Sequence, residues 1–283
     1  MVERESPSGR APSSYVHGTA PEEQDRLGVL NGILNEGSLR EAALQGSERI
    51  VDFGSGLGQL TRAMARAGGS RSRAVGIERS AEQIETATRL AREAGEEDRV
   101  DFRRGDVFDP PLRPDEWGAF DVAHARFVLE HVPDPAALVR VMVRAVRPGG
   151  RILLADEDHD ILRLWPELPS VEKVWRAYIA TYPRAGNDPY VGRKLVALLH
   201  DAGAKPRRST WIWFGGSAGM DMFPHLIRNF AGVLESGRSA MLASKLLSVA
   251  EFDAAIADLD RWGKRPDAAL WFAMAWAEGV KPG

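Results

Sequence analysis

Residues 49–61 read Arg49-Ile50-Val51-Asp52-Phe53-Gly54-Ser55-Gly56-Leu57-Gly58-Gln59-Leu60-Thr61, and this stretch decides the fold. Arg49-Ile50-Val51 reads as a buried strand, and Leu60 to Ala67 reads as the helix that follows. Between them, glycines stand at alternate positions, where positive φ and close approach of the backbone to a ligand cost little. The spacing is G-x-G-x-G, not the G-x-G-x-x-G that seats a pyrophosphate on a helix N-terminus. Asp52 sits directly before the first glycine, where a carboxylate would repel a pyrophosphate and suit a ligand carrying an ammonium group. The pattern therefore favours a nucleoside ligand with an amino-acid end over NAD.

The segments that follow keep the same order of strand, acid and helix. Arg73-Ala74-Val75-Gly76-Ile77-Glu78-Arg79 reads as a second strand ending in an acid. Glu78 lies about twenty residues past the glycine loop, the offset of ribose recognition in Rossmann-like folds. Val100 to Val107, Phe120 to Val132, and Leu138 to Leu154 with its turn Arg147-Pro148-Gly149-Gly150 complete the series. Together these five segments resemble the motifs of the class I S-adenosylmethionine-dependent methyltransferases, small-molecule type, over roughly residues 48–158. The resemblance implies S-adenosyl-L-methionine as cofactor. It implies that Asp52, Gly54, Ser55, Gly56, Gly58 and Gln59 hold the methionine portion, Glu78 with Arg79 the ribose, and Asp106 with Gly105 and Val107 the adenine. Ala125 would offer backbone contacts, and Arg126 would touch cofactor or substrate.

Local chemistry supports the same layout independently. Ser80-Ala81-Glu82-Gln83 has the capping-box pattern, and Gly95 is placed to end that helix in a left-handed conformation. Asp134 and Pro135 suit the N-cap and first position of a helix whose apolar face is Leu138, Val141, Met142 and Ala145. Strands alternating with helices imply an α/β fold. The expectation is a Rossmann-like, doubly wound, mostly parallel seven-stranded sheet with an antiparallel last strand and a helical lid insertion, its ligands at the strand C-terminal ends.

Composition narrows the function classes. The chain has 283 residues, no cysteine and a net charge of −3. Lack of cysteine removes disulfides, thiolate metal sites and thiol nucleophiles. The net charge supplies no field for a phosphate backbone, and no apolar run approaches the ~20 residues of a membrane span. Expected partners are a small-molecule substrate and, optionally, a second copy in a homodimer, with neither nucleic acid nor membrane. The expected compartment is the cytoplasm.

Four segments are expected: a disordered tail over 1–14, a helical cap over 15–46, the cofactor-binding core over 47–160, and substrate-side helices and strands over 161–283. In the cap, Tyr15 is a candidate cofactor contact and His17 a candidate general base, against the plainer reading of a surface helix. Asp156-Glu157-Asp158-His159-Asp160 leaves the fifth strand on the cofactor side. Here Asp156 is a candidate substrate contact and Asp158 a candidate base. The run could also hold a metal or be a solvated loop, and the expectation is no metal. Val171 to Tyr182 and Val191 to Ala202 read as helices, Thr210 to Phe214 and Leu270 to Ala277 as the last two strands. Between those strands, residues 217–267 are too long for a hairpin loop, and their helical runs read as a lid. Tyr182, Phe223, His225 and Arg228 are candidate substrate contacts.

The sequence thus predicts methyl transfer by in-line displacement to an N, O or C nucleophile of a small, hydrophobic molecule such as a secondary metabolite. The alternatives are a non-catalytic S-adenosylmethionine-binding protein and, disfavoured by the glycine spacing, an NAD-dependent oxidoreductase.

Overall fold

The computed structural model describes residue 32 and residues 34–283. Tyr15, His17 and the expected 1–14 tail lie outside the described residues. Eight strands form one sheet: β1 (Arg49–Phe53), β2 (Arg73–Glu78), β3 (Val100–Arg104), β4 (Phe120–Arg126), β5 (Val146–Glu157), β6 (Arg163–Trp165), β7 (Lys205–Ser217) and β8 (Ala269–Val280). Their order is β3-β2-β1-β4-β5-β8-β7, with β6 beside the first residues of β8. The first five pair in parallel, and β8 runs antiparallel to β5, β6 and β7. Only the short β6 exceeds the seven strands expected from sequence.

Side-chain alternation along each strand divides the core in two. On β1, Ile50 joins Leu34 and Ala42 of helix α1 (34–42) and Leu60 and Met64 of α2 (Gln59–Ala67). Ala91 of α3 (Ala81–Glu93) packs on that face too. Val51 and Phe53 face the other way, onto Leu138 and Met142 of α4 (Pro135–Ala145) and Leu195 and Leu199 of α6 (Leu195–Asp201). A third cluster holds the lid. Helices α5 (Pro169–Ile179), α7 (Phe223–Ser236), α8 (Arg238–Ala243) and α9 (Val249–Trp262) bury Trp175, Phe230, Met241 and Phe252 against Leu270 and Phe272 of β8.

The helix ends show why these segments begin where they do. Ser80 accepts from the Gln83 N–H, as expected, but its own N–H goes to Glu78 Oε1 at 2.9 Å. The second half of the expected capping box is thereby replaced by a strand-end carboxylate. Asp134 accepts from Ala137 N–H at 2.8 Å. A complete capping box does form at Ser248 and Glu251, starting α9 earlier than its apolar run suggests. The single helix expected over 191–202 divides into a 3-10 turn, Val191–Lys194, and α6.

Candidate functional site

A cavity of about 1320 Å³ runs along the C-terminal ends of β1, β2 and β4, past β5, to the underside of the lid. One end is the glycine loop. Gly54, Gly56 and Gly58 all take positive φ (77°, 54° and 71°), and the N–H groups of Gly54 and Ser55 both donate to Ile77 O. A Cβ on Gly54 would stand 2.4 Å from Val128 Cγ2. Gly54→Ala therefore combines left-handed strain with overpacking, together about 2–5 kcal/mol. The expected result is a lower melting temperature and a loss of cofactor affinity, read by thermal denaturation and calorimetry. Gly58 does not line the cavity: a Cβ there would lie 2.3 Å from the Phe102 ring, so this glycine seats α2 on β3.

Asp52 is buried at the cavity wall, where its carboxylate accepts from Thr61 Oγ1 and from His124 Nδ1, the latter at 2.8 Å. Because a carboxylate only accepts, the imidazole nitrogen in this bond, Nδ1, carries a proton. His124 Nε2 is buried and has no hydrogen-bond partner among the described residues. His124 lines the cavity because β4 sends alternate side chains the same way, and Arg126 follows it. Burial pushes the Arg126 guanidinium down to about 10, opposed by the nearby Asp52 charge. Ala125, the residue between, points into the opposite core, so only its backbone could meet a ligand.

Glu78 ties the two halves of the cradle together: its carboxylate accepts from Gly56 N–H at 3.3 Å and from Ser80 N–H. Ser55, Gln59, Arg79, Gly105, Asp106 and Val107 also line this end. Asp106 Oδ1 accepts from Phe108 N–H at 2.9 Å, which fixes the loop after β3. Ser55 Oγ is buried without a partner among the described residues.

The acidic run after β5 divides differently from expectation. Asp156 faces away from the cavity, and its two oxygens accept from the N–H groups of Val128, Leu129 and Glu157. It secures the 3-10 turn Leu129–His131 and is not available to a substrate. Asp158 is no base either, since both its oxygens are gripped by Arg193 at 2.6 Å and it lies outside the cavity lining. Glu157, between them, does line the cavity, as does Glu130. His159 Nε2 lies 3.1 Å from Glu130 Oε2, and Nδ1 lies 3.4 Å from Glu157 Oε2. Burial pushes Glu157 up to about 8 and raises Glu130, and the same desolvation lowers His159. Sequence reasoning missed His124, Glu130 and Glu157 as site residues.

The far end of the cavity is walled by Trp175, Tyr178, Tyr182, Phe214, Phe230 and Phe272. Tyr178 and Tyr182 share a 3.1 Å hydroxyl contact, and Trp175 stacks on Tyr178 with ring centroids 5.3 Å apart. Of the candidate substrate contacts, Tyr182 lies here. Phe223 does not: it is buried within the lid against Trp262. His225 and Arg228 are exposed and bond each other at 2.9 Å on the outer side of α7. The helix turns Leu226, Asn229, Phe230 and Val233 to the cavity instead, which is the 3.6-residue period taken one position out of phase.

A family model described as a methyltransferase domain matches residues 29–209. The chain is 32% identical over 210 residues to an uncharacterized 37.1 kDa protein in transposon TN4556 of Streptomyces fradiae, covering 72% of this chain and 58% of that protein. It thus spans little more than half the length of that relative. It is 31% identical over 184 residues to the ubiquinone biosynthesis O-methyltransferase of Xanthomonas euvesicatoria, covering 64% of this chain and 72% of that enzyme. Among solved structures, geranyl diphosphate C-methyltransferase from Streptomyces coelicolor, in complex with geranyl diphosphate and S-adenosyl-L-homocysteine, superposes with a TM-score of 0.53 at 17% identity. That match covers 95% of this chain and 89% of that one. The (4+2)-cyclase SpnF superposes with a TM-score of 0.51 at 22% identity, covering 95% and 85%.

Proposed function

The chain belongs to the class I S-adenosylmethionine-dependent methyltransferase family, and from that premise we propose that it transfers a methyl group to a small, largely apolar acceptor enclosed beneath the lid. The observation that carries this reading is one continuous cavity joining the glycine cradle to an aromatic chamber. Such a chamber, concave and apolar with a few convergent polar groups, suits a small molecule better than a macromolecular surface.

The residues fit the cofactor. Ser55 Oγ and His124 Nε2 are buried polar atoms at the cradle without partners among the described residues. Asp52 would balance the ammonium of the methionine portion and Arg126 its carboxylate. Glu78 would receive the ribose hydroxyls, and Asp106 the adenine amino group. Bound there, S-adenosylmethionine supplies a methyl already activated on a sulfonium. The protein's own task is alignment and the exclusion of water, and ordering two reactants can contribute several kcal/mol. Lid residues Leu226, Phe230 and Val233 would exclude water and hold the acceptor in line.

Calorimetric titration with S-adenosylmethionine, S-adenosylhomocysteine and NAD in parallel tests the reading. Binding of both sulfur compounds and not of NAD is the expected result. Mass spectrometry of an apolar acceptor panel should then find products heavier by one methylene. Binding without methylation across that panel would favour the non-catalytic alternative, and NAD binding alone would overturn the family-based reading of the cradle.

A further inference from the structure

The cluster Glu157, His159 and Glu130 is left over once the cofactor end is assigned, and its geometry is unusual for a packing feature. Three ionisable side chains are brought together deep in the protein, and among the described residues none of their hydrogen-bond or ion-pair partners is a lysine or arginine. Two of them, Glu157 and Glu130, open onto the cavity, whereas His159 sits behind, with 1% of its side chain exposed. The two carboxylates address opposite nitrogens of one ring, which is how a proton is passed along. Nδ1, the nitrogen toward Glu157, is buried and makes no hydrogen bond among the described residues. The ring is fixed in place: Trp175 packs edge-on at 5.2 Å and Tyr182 at 4.9 Å, and the Trp175 indole N–H donates to the His159 carbonyl.

We propose that Glu157, His159 and Glu130 form a carboxylate–imidazole–carboxylate proton relay with Glu157 as general base at the cavity wall, and hence that the acceptor is a hydroxyl compound, phenolic or enolic, and not an amine. The proposal rests on the methyl-transfer reading of the same cavity. In the step, the acceptor oxygen forms its bond to the methyl carbon as the carbon–sulfur bond breaks, its electrons staying on sulfur. The hydroxyl proton passes to Glu157, then to His159 Nδ1, while the Nε2 proton moves to Glu130. One proton is gained by the relay for each methyl transferred. An amine can present its lone pair unprotonated and needs no such path, whereas a neutral hydroxyl gains roughly 10²–10⁴-fold from a placed base.

Surrounding charges set when the relay is ready. Asp156 lies behind β5, and Asp188 approaches Glu130 from the loop before the 191–194 turn. Asp158 and Asp160 approach His159, their charge offset by Arg193 from that turn. His131 reaches Glu130 from the turn after β4, and Tyr178 and Tyr182 close the side toward α5. Burial first, and the neighbouring acids after it, make both glutamates hold protons above the usual carboxylate range. The sign follows: Glu157 accepts a proton only when ionised, so transfer should rise with pH through about 8 and level off beyond it.

The decisive measurement needs no acceptor. Protein with ¹³C-labelled glutamate carboxyls, bound to S-adenosylhomocysteine, is titrated from acid to alkaline pH by NMR. The relay predicts two carboxyl signals inflecting near 8, assigned by loss in Glu157→Gln and Glu130→Gln, each moved by His159→Gln. Inflection of both in the ordinary glutamate range, or titration of each unaffected by the ring, overturns it; the wild-type titration alone suffices if a variant fails to fold. Matched naphthol and naphthylamine acceptors then read the chemistry. Naphthol turnover should fall about 100-fold or more in Glu157→Gln with S-adenosylhomocysteine affinity unchanged. Naphthylamine turnover that survives Glu157→Gln, with naphthol inert in the wild type, overturns the hydroxyl assignment alone. Failure of S-adenosylhomocysteine to bind the wild type instead sinks the methyl-transfer reading.

Discussion

Asp52→Ala is expected to weaken S-adenosylmethionine binding by roughly 30- to 1,000-fold, the equivalent of about 2–4 kcal/mol. Two effects add. In the variant the negative charge proposed to face the cofactor's ammonium group is gone, and the buried His124 Nδ1–H and Thr61 hydroxyl are left without their acceptor. Each orphaned group costs about 1–3 kcal/mol. Asp52→Asn separates the two, because its amide oxygen can accept from His124 Nδ1–H and its NH2 can donate to the Thr61 hydroxyl, which also accepts, while the charge is gone. Calorimetry should find both variants weak, and thermal denaturation should find the alanine variant markedly less stable than the asparagine one. Wild-type affinity in Asp52→Asn would show that the carboxylate acts only in packing.

Phe252→Ala should act on stability from the lid side and leave the cofactor end intact. Its ring is completely buried in the lid, with the Arg238 guanidinium 5.3 Å above it. Deleting a buried phenylalanine costs about 3–5 kcal/mol through lost transfer energy and the cavity left behind. The cradle shares no residue with this cluster, so S-adenosylhomocysteine affinity should stay near wild type while acceptor turnover collapses. Hydrogen exchange should show α7, α8 and α9 opening ahead of the central strands. Equal loss of cofactor affinity and acceptor turnover would mean that lid and cradle unfold as one unit.

What the sequence made legible was local. A strand, an acid and a glycine loop are consecutive residues, so the direction of Asp52 and Glu78 follows from strand ends alone, and both line the cavity. The errors are errors of phase. Along β5 one residue separates Glu157, on the cavity side, from Asp156, on the far side, and nothing in an acidic run says where the pleat stops alternating. On α7 the polar pair His225 and Arg228 attracted notice, but Leu226 and Phe230 one step on face inward. His124 was hidden for another reason. Its role comes from pairing with Asp52 across β1 and β4, 72 residues apart in the chain. Glu130 and His159 likewise meet only because the turn after β4 folds back beside the end of β5.

Three of the four lid helices, α7, α8 and α9, hang between β7 and β8, a stretch that begins after the 29–209 family match has ended. The two ends of the cavity are thus built by different lengths of chain: Asp52, Glu78 and Asp106 belong to the matched region, whereas Leu226, Asn229, Phe230 and Val233 follow it and share the aromatic chamber with Trp175, Tyr178 and Tyr182 from within it. Substitutions on α7 alone are expected to change which acceptor fits while S-adenosylmethionine affinity stays as it is.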